Sequence, residues 1–344
     1  MTAPVDPVRL LPGRGVEILD QTLLPLVERR VLLSGIDSVC EAIRELRVRG
    51  APLLGLVGAA GMAIAADTTT ANDADLAHAA RLLDATRPTA TDLGRAVRDA
   101  LAQALSAGPS ALLRREVLWR NAERLLALRR AEDEAIGQFG AELLPRGASV
   151  LTHCNTGALA TAGIGTALGV VSIAHRQGRI ERCYATETRP LLQGARLTTW
   201  ELTRLGIPAT LLPDTAAAAL IASGLVDAVI TGADRIAANG DTANKVGTYG
   251  LAAVAARHAV PFYIAAPTST FDPGCPSGAE IPIEFRSPAE VGGFAGTRWS
   301  PDGIEAYNPA FDVTPASCIT AIVTEHGVLR PPFAPAIAGL PALR

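Results

Sequence analysis

The sequence is poor in aromatic residues (4%) and in charged residues (19%), and neither sign of charge dominates. The 31 Lys and Arg against 34 Asp and Glu leave a net charge of −3. Such a balance offers no basic face for nucleic acid or an anionic membrane, so neither partner is expected. Little charge combined with 49% hydrophobic residues and a mean hydropathy of +0.25 excludes a disordered chain. Cysteine is sparse. Cys40, Cys154, Cys183, Cys275 and Cys318 stand far apart with no C-x-x-C, which excludes a readable disulfide framework or zinc knuckle and points to a reducing, cytoplasmic compartment. His78, His175, His258 and His326 show no ligand spacing and no carboxylate cluster accompanies them, so no metal is expected. The N-terminus lacks a charged region followed by an apolar stretch, so no secretory signal is expected. No internal repeat is visible.

What the chain has in abundance is Ala, Leu, Val and Ile, the residues of buried helices and parallel strands. Residues 50–66 and 147–175 carry no formal charge and are long enough to prompt a membrane question. The second contains His153, Asn155, several Thr and a cluster of Gly, and reads as strand, loop and helix. The first is rich in Gly and Ala and contains Pro52, and reads as a buried helix of small residues. At 344 residues, two domains are expected. Residues 1–145 are mainly helical after a strand near 16–20. They include a helix over 38–48 with Ser38 as N-cap, amphipathic segments at 81–84 and 92–107, and a long connecting helix over 109–144. From 146 to 330 strands (149–154, 182–187, 209–213, 227–232, 261–266) alternate with helices (158–177, 192–205, 216–223, 245–258), and a last helix is expected near 315–325. This is the rhythm of a Rossmann-like α/β domain with a mostly parallel sheet covered on both faces. Residues 331–344, with Pro331, Pro332, Pro335 and Pro341, read as an irregular tail.

Ligands of open parallel sheets bind outside the carboxyl ends of the strands. Those ends carry His153-Cys154-Asn155, Glu187-Thr188-Arg189, Asp214, Thr231 to Arg235 and Pro267 to Thr270. A dinucleotide fingerprint is suggested by Gly163, Gly165 and Gly169 with Glu187 downstream. A genuine one begins immediately after its strand, whereas here HCNTGALATA intervenes. These glycines read instead as packing residues inside the helix.

Several segments together resemble the methylthioribose-1-phosphate isomerase family, which is related to the alpha, beta and delta regulatory subunits of the guanine-exchange factor for translation initiation. They are Arg49-Gly50-Ala51-Pro52, the LTHCNTGALA stretch around Cys154, the ETRPLLQGAR stretch around Gln193, TGADRI around Asp234, GDTANKVGT around Asn244 and Lys245, and NPAFDVTP around Asp312. The resemblance implies a helical N-terminal domain, a Rossmann-like C-terminal domain and a homodimer. It also implies an aldose–ketose isomerase that converts 5-methylthioribose 1-phosphate to 5-methylthioribulose 1-phosphate in methionine salvage, with a sugar phosphate as substrate and no cofactor.

By the same resemblance Cys154 and Asp234 are the catalytic pair. Independently, Cys154 stands at a strand end before a helix, where N–H groups and the helix dipole favour negative charge. The competing reading is a small buried hydrophobe. Asp234 ends an apolar strand, a low-dielectric setting that favours the protonated form an acid donor needs. A helix cap or an ion pair with Arg235 is the alternative. Arg49 beside Gly50 and Ala51, Arg87 at a break between helices, and Asn244 with Lys245 at a predicted helix start are candidate phosphate binders. For each cation the alternative is a solvated surface charge. Gln193 is expected to bind sugar hydroxyls or to cap a helix. His153, beside a Cys but without a third group, reads as a residue that orients the strand end. Leu53-Leu54, Phe285 and Cys318 depart from the family pattern and read as packing variations away from the proposed chemistry, with Leu53 the one that can reshape the pocket. Two other functions compete: a sibling isomerase acting on 5-deoxyribose 1-phosphate or ribose 1,5-bisphosphate, and a non-catalytic regulatory subunit, which has no need of Cys154 and Asp234 together.

Overall fold

The computed structural model describes residues 5–87 and 91–341. The chain divides into two compact units, one made of Pro4–Asp133 with Gly157–Gly165 and the other of Glu134–Thr156 with Thr166–Arg344.

The first unit opens with a three-stranded antiparallel sheet, β1 (Val8–Leu11), β2 (Gly15–Leu19) and β3 (Arg30–Leu33). Five helices follow: α1 (Ile36–Arg44), α2 (Ala51–Thr68), α3 (Asp73–Asp84), α4 (Thr91–Ser106) and α5 (Ala111–Ala141). α1 begins earlier than the sequence suggests. Gly35 is its N-cap, and Ser38, three residues on, returns a hydroxyl bond to the Gly35 carbonyl at 2.7 Å. α2 has a mean hydropathy of 1.4 and is long and apolar enough to cross a membrane. Every residue from Pro52 to Ala66 is nevertheless buried, so it is a core helix. Its glycines allow close approach: a Cβ at Gly58 would lie 2.5 Å from Leu93 of α4.

The second unit is built on a seven-stranded sheet. Along the chain come β4 (Ala148–Thr152), then α6 (Ala158–Thr161), which belongs to the first unit, and then α7 (Ala167–Arg176), β5 (Ile180–Thr186), α8 (Thr199–Leu205), β6 (Ala209–Leu212), α9 (Ala217–Ala222) and β7 (Ala228–Thr231). Then come β8 (Arg235–Ala237), β9 (Thr242–Lys245), α10 (Thr248–Arg257), β10 (Phe262–Ala265), β11 (Phe271–Asp272), α11 (Pro288–Gly292), β12 (Gly293–Phe294) and β13 (Thr297–Arg298). β14 (Phe311–Thr314), β15 (Ala321–Thr324), β16 (Gly327–Leu329) and α12 (Phe333–Ala338) complete the chain. The sheet order is β16-β15-β10-β7-β4-β5-β6, parallel throughout except for the β15–β16 hairpin. Its strands β7, β10 and β15 are buried throughout, as a helix-covered parallel sheet requires. A second sheet, β11-β8-β9-β14, grows from the chain that leaves β7.

Three sequence expectations are corrected here. The helix expected over 158–177 is broken into α6 and α7, so Gly163 and Gly165 lie in the break and not inside a helix. The Asp133 carboxylate organises that break, accepting from the Thr161 hydroxyl and from the Gly165 N–H at 2.8 Å. The helix expected near 315–325 is a single 3₁₀ turn followed by β15, because Ile319, Thr320, Ile322, Val323 and Thr324 form a β-branched run that suits a central strand. The tail over 331–341 is not irregular. It contains α12, whose Phe333 and Ile337 are buried in the core of the second unit together with Leu340.

Candidate functional site

β7, β4, β5 and β6 are neighbours in the sheet, and the chain leaving them supplies the reactive side chains. β4 ends at Thr152, and two residues later Cys154 adopts a left-handed backbone with φ 62°. That conformation is costly for any residue with a Cβ, so the surroundings must impose it. The Cys154 N–H donates to Thr188 Oγ1 at 2.9 Å, and the Cys154 carbonyl accepts from Thr198 Oγ1 at 2.6 Å. Asn155 anchors the next residue, donating through Nδ2 to Glu201 Oε1 at 2.7 Å. Thr188 is itself left-handed, with φ 65°. Its backbone N–H and that of Arg189 donate to the two oxygens of Asp214, each at 2.7 Å.

His153 is buried, with both ring nitrogens engaged. Nε2 lies 2.9 Å from the Val246 carbonyl, which can only accept, so Nε2 carries the hydrogen. Nδ1 therefore accepts from the Thr186 hydroxyl at 2.6 Å. Burial holds the imidazole pKa below its usual value; the Val246 bond and the Asp214 charge oppose this, and Lys245 adds to the lowering. A neutral imidazole bonded on both sides ties β4 to β5 and to the loop before α10, consistent with an orienting residue.

Asp234 lies three residues beyond β7 and is half-buried. Its N–H donates to the Ala243 carbonyl of β9 at 2.9 Å. Thr152 of β4 pairs with Ile230 of β7, so Cys154 and Asp234 leave the same end of adjacent strands. Gly232 keeps the two exits close, since a Cβ there would lie 2.8 Å from Thr156 Cγ2. Arg235 forms a salt bridge with Asp272 at 3.5 Å.

Gln193 is 6% exposed, and its Oε1 is buried with no hydrogen-bond partner among the described residues. It precedes a π-helical turn, Gly194–Thr198, where the sequence suggested plain α-helix; such turns concentrate at functional sites. Asn244 is buried and donates to Thr248 Oγ1 at 3.0 Å. Lys245 closes β9 and does not open a helix. Its Nζ donates to the Ala310 carbonyl at 2.8 Å and lies 4.5 Å from the centre of the Phe311 ring. α10 starts three residues later, and its first N–H groups, Gly247 and Tyr249, donate to Asp312 at 2.7 and 3.2 Å. Burial pushes the Asp312 carboxyl up to about 6, against the pull of these bonds and of Lys245.

The remaining candidates belong to the helical unit. Arg49 Nε donates to Gln21 Oε1 at 3.3 Å, and Gln21 in turn donates to the Leu159 carbonyl at 2.7 Å. Gly50 (φ 97°) is the N-cap of α2, where a Cβ would lie 2.6 Å from the Ala160 carbonyl oxygen. Ala51 begins the helix, and no acidic side chain lies in its first turn to offset the positive end of the dipole. Arg87 is half-buried in the segment after α3; Pro88 lies outside the described residues. Among the described residues, no group of three or more His, Cys, Asp or Glu is placed to hold a metal ion.

Thr188 and Asp214 are strand-end candidates to which the sequence assigns no role, Asp312 is marked only by the NPAFDVTP motif, and nothing in the sequence marks Thr186.

A mostly parallel, helix-covered sheet with its polar and thiol groups beyond the carboxyl ends of the strands defines a Rossmann-like α/β protein, a class in which small ligands bind at that edge. The chain belongs to the initiation factor 2 subunit family, which it matches over residues 47–331. It is 52% identical to the methylthioribose-1-phosphate isomerase of Anaeromyxobacter sp. (strain Fw109-5) over 98% of each chain. It is 48% identical to the 5-deoxyribose 1-phosphate isomerase of Moorella thermoacetica, again over 98% of each. The crystal structure of 5-methylthioribose 1-phosphate isomerase from Pyrococcus horikoshii superposes with a TM-score of 0.92 at 39% identity, covering 100% of this chain and 97% of that one.

Proposed function

We propose that this protein is an aldose–ketose isomerase that converts 5-methylthioribose 1-phosphate to 5-methylthioribulose 1-phosphate, the step that carries this sugar phosphate through methionine salvage. The observation that carries the reading is the pairing of Cys154 and Asp234 at the same end of adjacent parallel strands, in a chain so close to isomerases over its whole length. Phosphate on O1 locks the anomeric carbon, so no free aldehyde is available and the furanose must be opened by the enzyme. The ring oxygen gains a proton, O2 loses one, and hydrogen moves from C2 to C1. The balance is internal, and no oxidant or reductant enters. Asp234 supplies the proton donor and Cys154 lines the C1/C2 edge, whether hydrogen moves as a proton through an enediolate or as a hydride. Gln193, whose Oε1 has no partner among the described residues, Asn244 and Lys245 are proposed as sugar-phosphate contacts. Arg49, Gly50, Ala51 and Arg87 are proposed as anion-binding groups of the helical unit.

The test is turnover of 5-methylthioribose 1-phosphate with EDTA present and no cofactor added. Wild type should turn over, and Cys154→Ser and Asp234→Asn should each lose about 10²-fold or more while remaining folded. Inactivity of wild type on this substrate would overturn the assignment. The relative named for 5-deoxyribose 1-phosphate favours one second reading, a sibling substrate with the same reacting carbons. Assays with 5-deoxyribose 1-phosphate and ribose 1,5-bisphosphate separate the two. A homodimer is also proposed, to be read as twice the 35.6 kDa chain mass by light scattering. So is a cytoplasmic location, which suits five free cysteines.

A further inference from the structure

We propose that Asp214 is a positioning residue for Cys154 and acts through Thr188. The inference rests on the isomerase reading only for its effect on turnover; its effect on the thiol stands alone.

Thr188 is fully buried and β-branched, yet it sits in the left-handed region, where a branched side chain is strongly disfavoured. Something must hold it there, and the hold comes from the neighbouring strand. Asp214 opens the 3₁₀ turn that follows β6, and its carboxylate takes the N–H groups of Thr188 and Arg189 as a two-pronged acceptor. A carboxylate receiving two amide hydrogens at 2.7 Å forms strong, charge-assisted bonds that fix the local peptide orientation. Thr188 Oγ1 is thereby aimed at β4, where it accepts the Cys154 N–H. The same hydroxyl lies 3.3 Å from Thr186 Oγ1, which holds His153. Two consecutive left-handed constraints, at Thr188 and at Cys154, are thus joined by one hydrogen bond and end on one carboxylate. Asp214 need not touch substrate to matter, since it sets where the Cys154 backbone turns and so where the thiol points.

The experiment compares wild type, Asp214→Asn, Thr188→Val, Thr188→Ser and the Asp214→Asn/Thr188→Val double variant. It reads steady-state kinetics and, by peptide mass spectrometry, the iodoacetamide alkylation rate of Cys154. Cys318, which is partly exposed, serves as the internal standard for loosening of the whole fold. An amide offers one acceptor where the carboxylate offers two, so Asp214→Asn should lower kcat about tenfold with KM within about twofold. It should speed Cys154 alkylation at least about threefold, since the buried Cys154 leaves its held position, while Cys318 stays unchanged. Thr188→Val should reproduce both changes, Thr188→Ser should restore wild-type behaviour, and the double variant should be no worse than either single one. Unchanged kcat and Cys154 alkylation in Asp214→Asn would overturn the proposal. So would effects that multiply in the double variant, or a rise in Cys318 alkylation equal to that of Cys154. If Asp214→Asn does not fold, the Val and Ser variants of Thr188 decide alone, and equal Cys154 alkylation in the two overturns it. If wild type isomerises none of the three sugar phosphates, the functional reading falls while the alkylation arm still decides this one.

Discussion

The Cys154 amide donates to the Thr188 hydroxyl at 2.9 Å, and both residues have left-handed backbones, with φ 62° and 65°. Neither conformation is comfortable alone, and each persists because the other's strand end is fixed in the core. A thiol held by a strained backbone is pre-organised: its position is set by folding and is not paid for at each turnover.

Gly194 guards this arrangement. A Cβ there would lie 1.7 Å from the Thr186 carbonyl oxygen and 2.8 Å from Thr188 Oγ1, and a backbone carbonyl in a parallel strand cannot move aside cheaply. Gly194→Ala should therefore shift the 186–188 segment, lower kcat by about tenfold or more and destabilise the protein by about 2–4 kcal/mol. Thermal unfolding together with steady-state kinetics checks it. Wild-type values in both would show that the π-helical turn absorbs the methyl group without disturbing Thr188.

Gln193 gives the opposite expectation for stability. Its Oε1 is buried with no hydrogen-bond donor among the described residues, and in the proposed function a hydroxyl of the sugar phosphate donates to it. Gln193→Met keeps the length of the side chain and removes the orphaned oxygen. The variant should be as stable as wild type, or more stable by about 1 kcal/mol, while KM for the sugar phosphate rises about tenfold or more. A clear loss of stability with unchanged KM would make Gln193 a structural residue.

Much of this was legible in the sequence, and what was not has identifiable causes. The strand–helix rhythm after residue 146 gave the parallel sheet, and the rule that ligands meet strand ends singled out Thr188 and Asp214 as well as Cys154. That Asp214 grips Thr188, 26 positions away, is a tertiary fact that no local pattern encodes. The break at Gly163 and Gly165 was hidden for a similar reason, because the Asp133 carboxylate that shapes it lies 32 positions from Gly165. The segment over 315–325, which reads as a helix in the sequence, shows a different limit. A short apolar run bounded by turn residues satisfies helix and strand templates alike, and only its β-branched content argued for β15. Lys245 was placed at a helix start because the apolar run of α10 begins beside it. The left-handed Gly247 and the Asp312 cap set the true boundary at Thr248, three residues further on.

Asp312 supplies a pH-dependent test of that boundary. Burial raises its carboxyl to about 6, above the ordinary value of 3.8, even though the Gly247 and Tyr249 amides and Lys245 favour the charged form. A raised acid keeps its proton in the folded state over a range where the unfolded chain has already released it. The stability it contributes is therefore fully present below about pH 4 and is lost as pH rises through about 6. Asparagine keeps one acceptor for the α10 amides and cannot titrate, so Asp312→Asn removes this dependence. The other carboxylates are shared by both proteins and cancel in the comparison. The melting temperature of wild type relative to Asp312→Asn should fall by about 2–4 °C between pH 4.5 and pH 7, and stay level above pH 7. Scanning fluorimetry at half-unit intervals measures it directly. A difference independent of pH would mean that Asp312 is ionised in the folded protein throughout, with the cap of α10 outweighing the cost of burial.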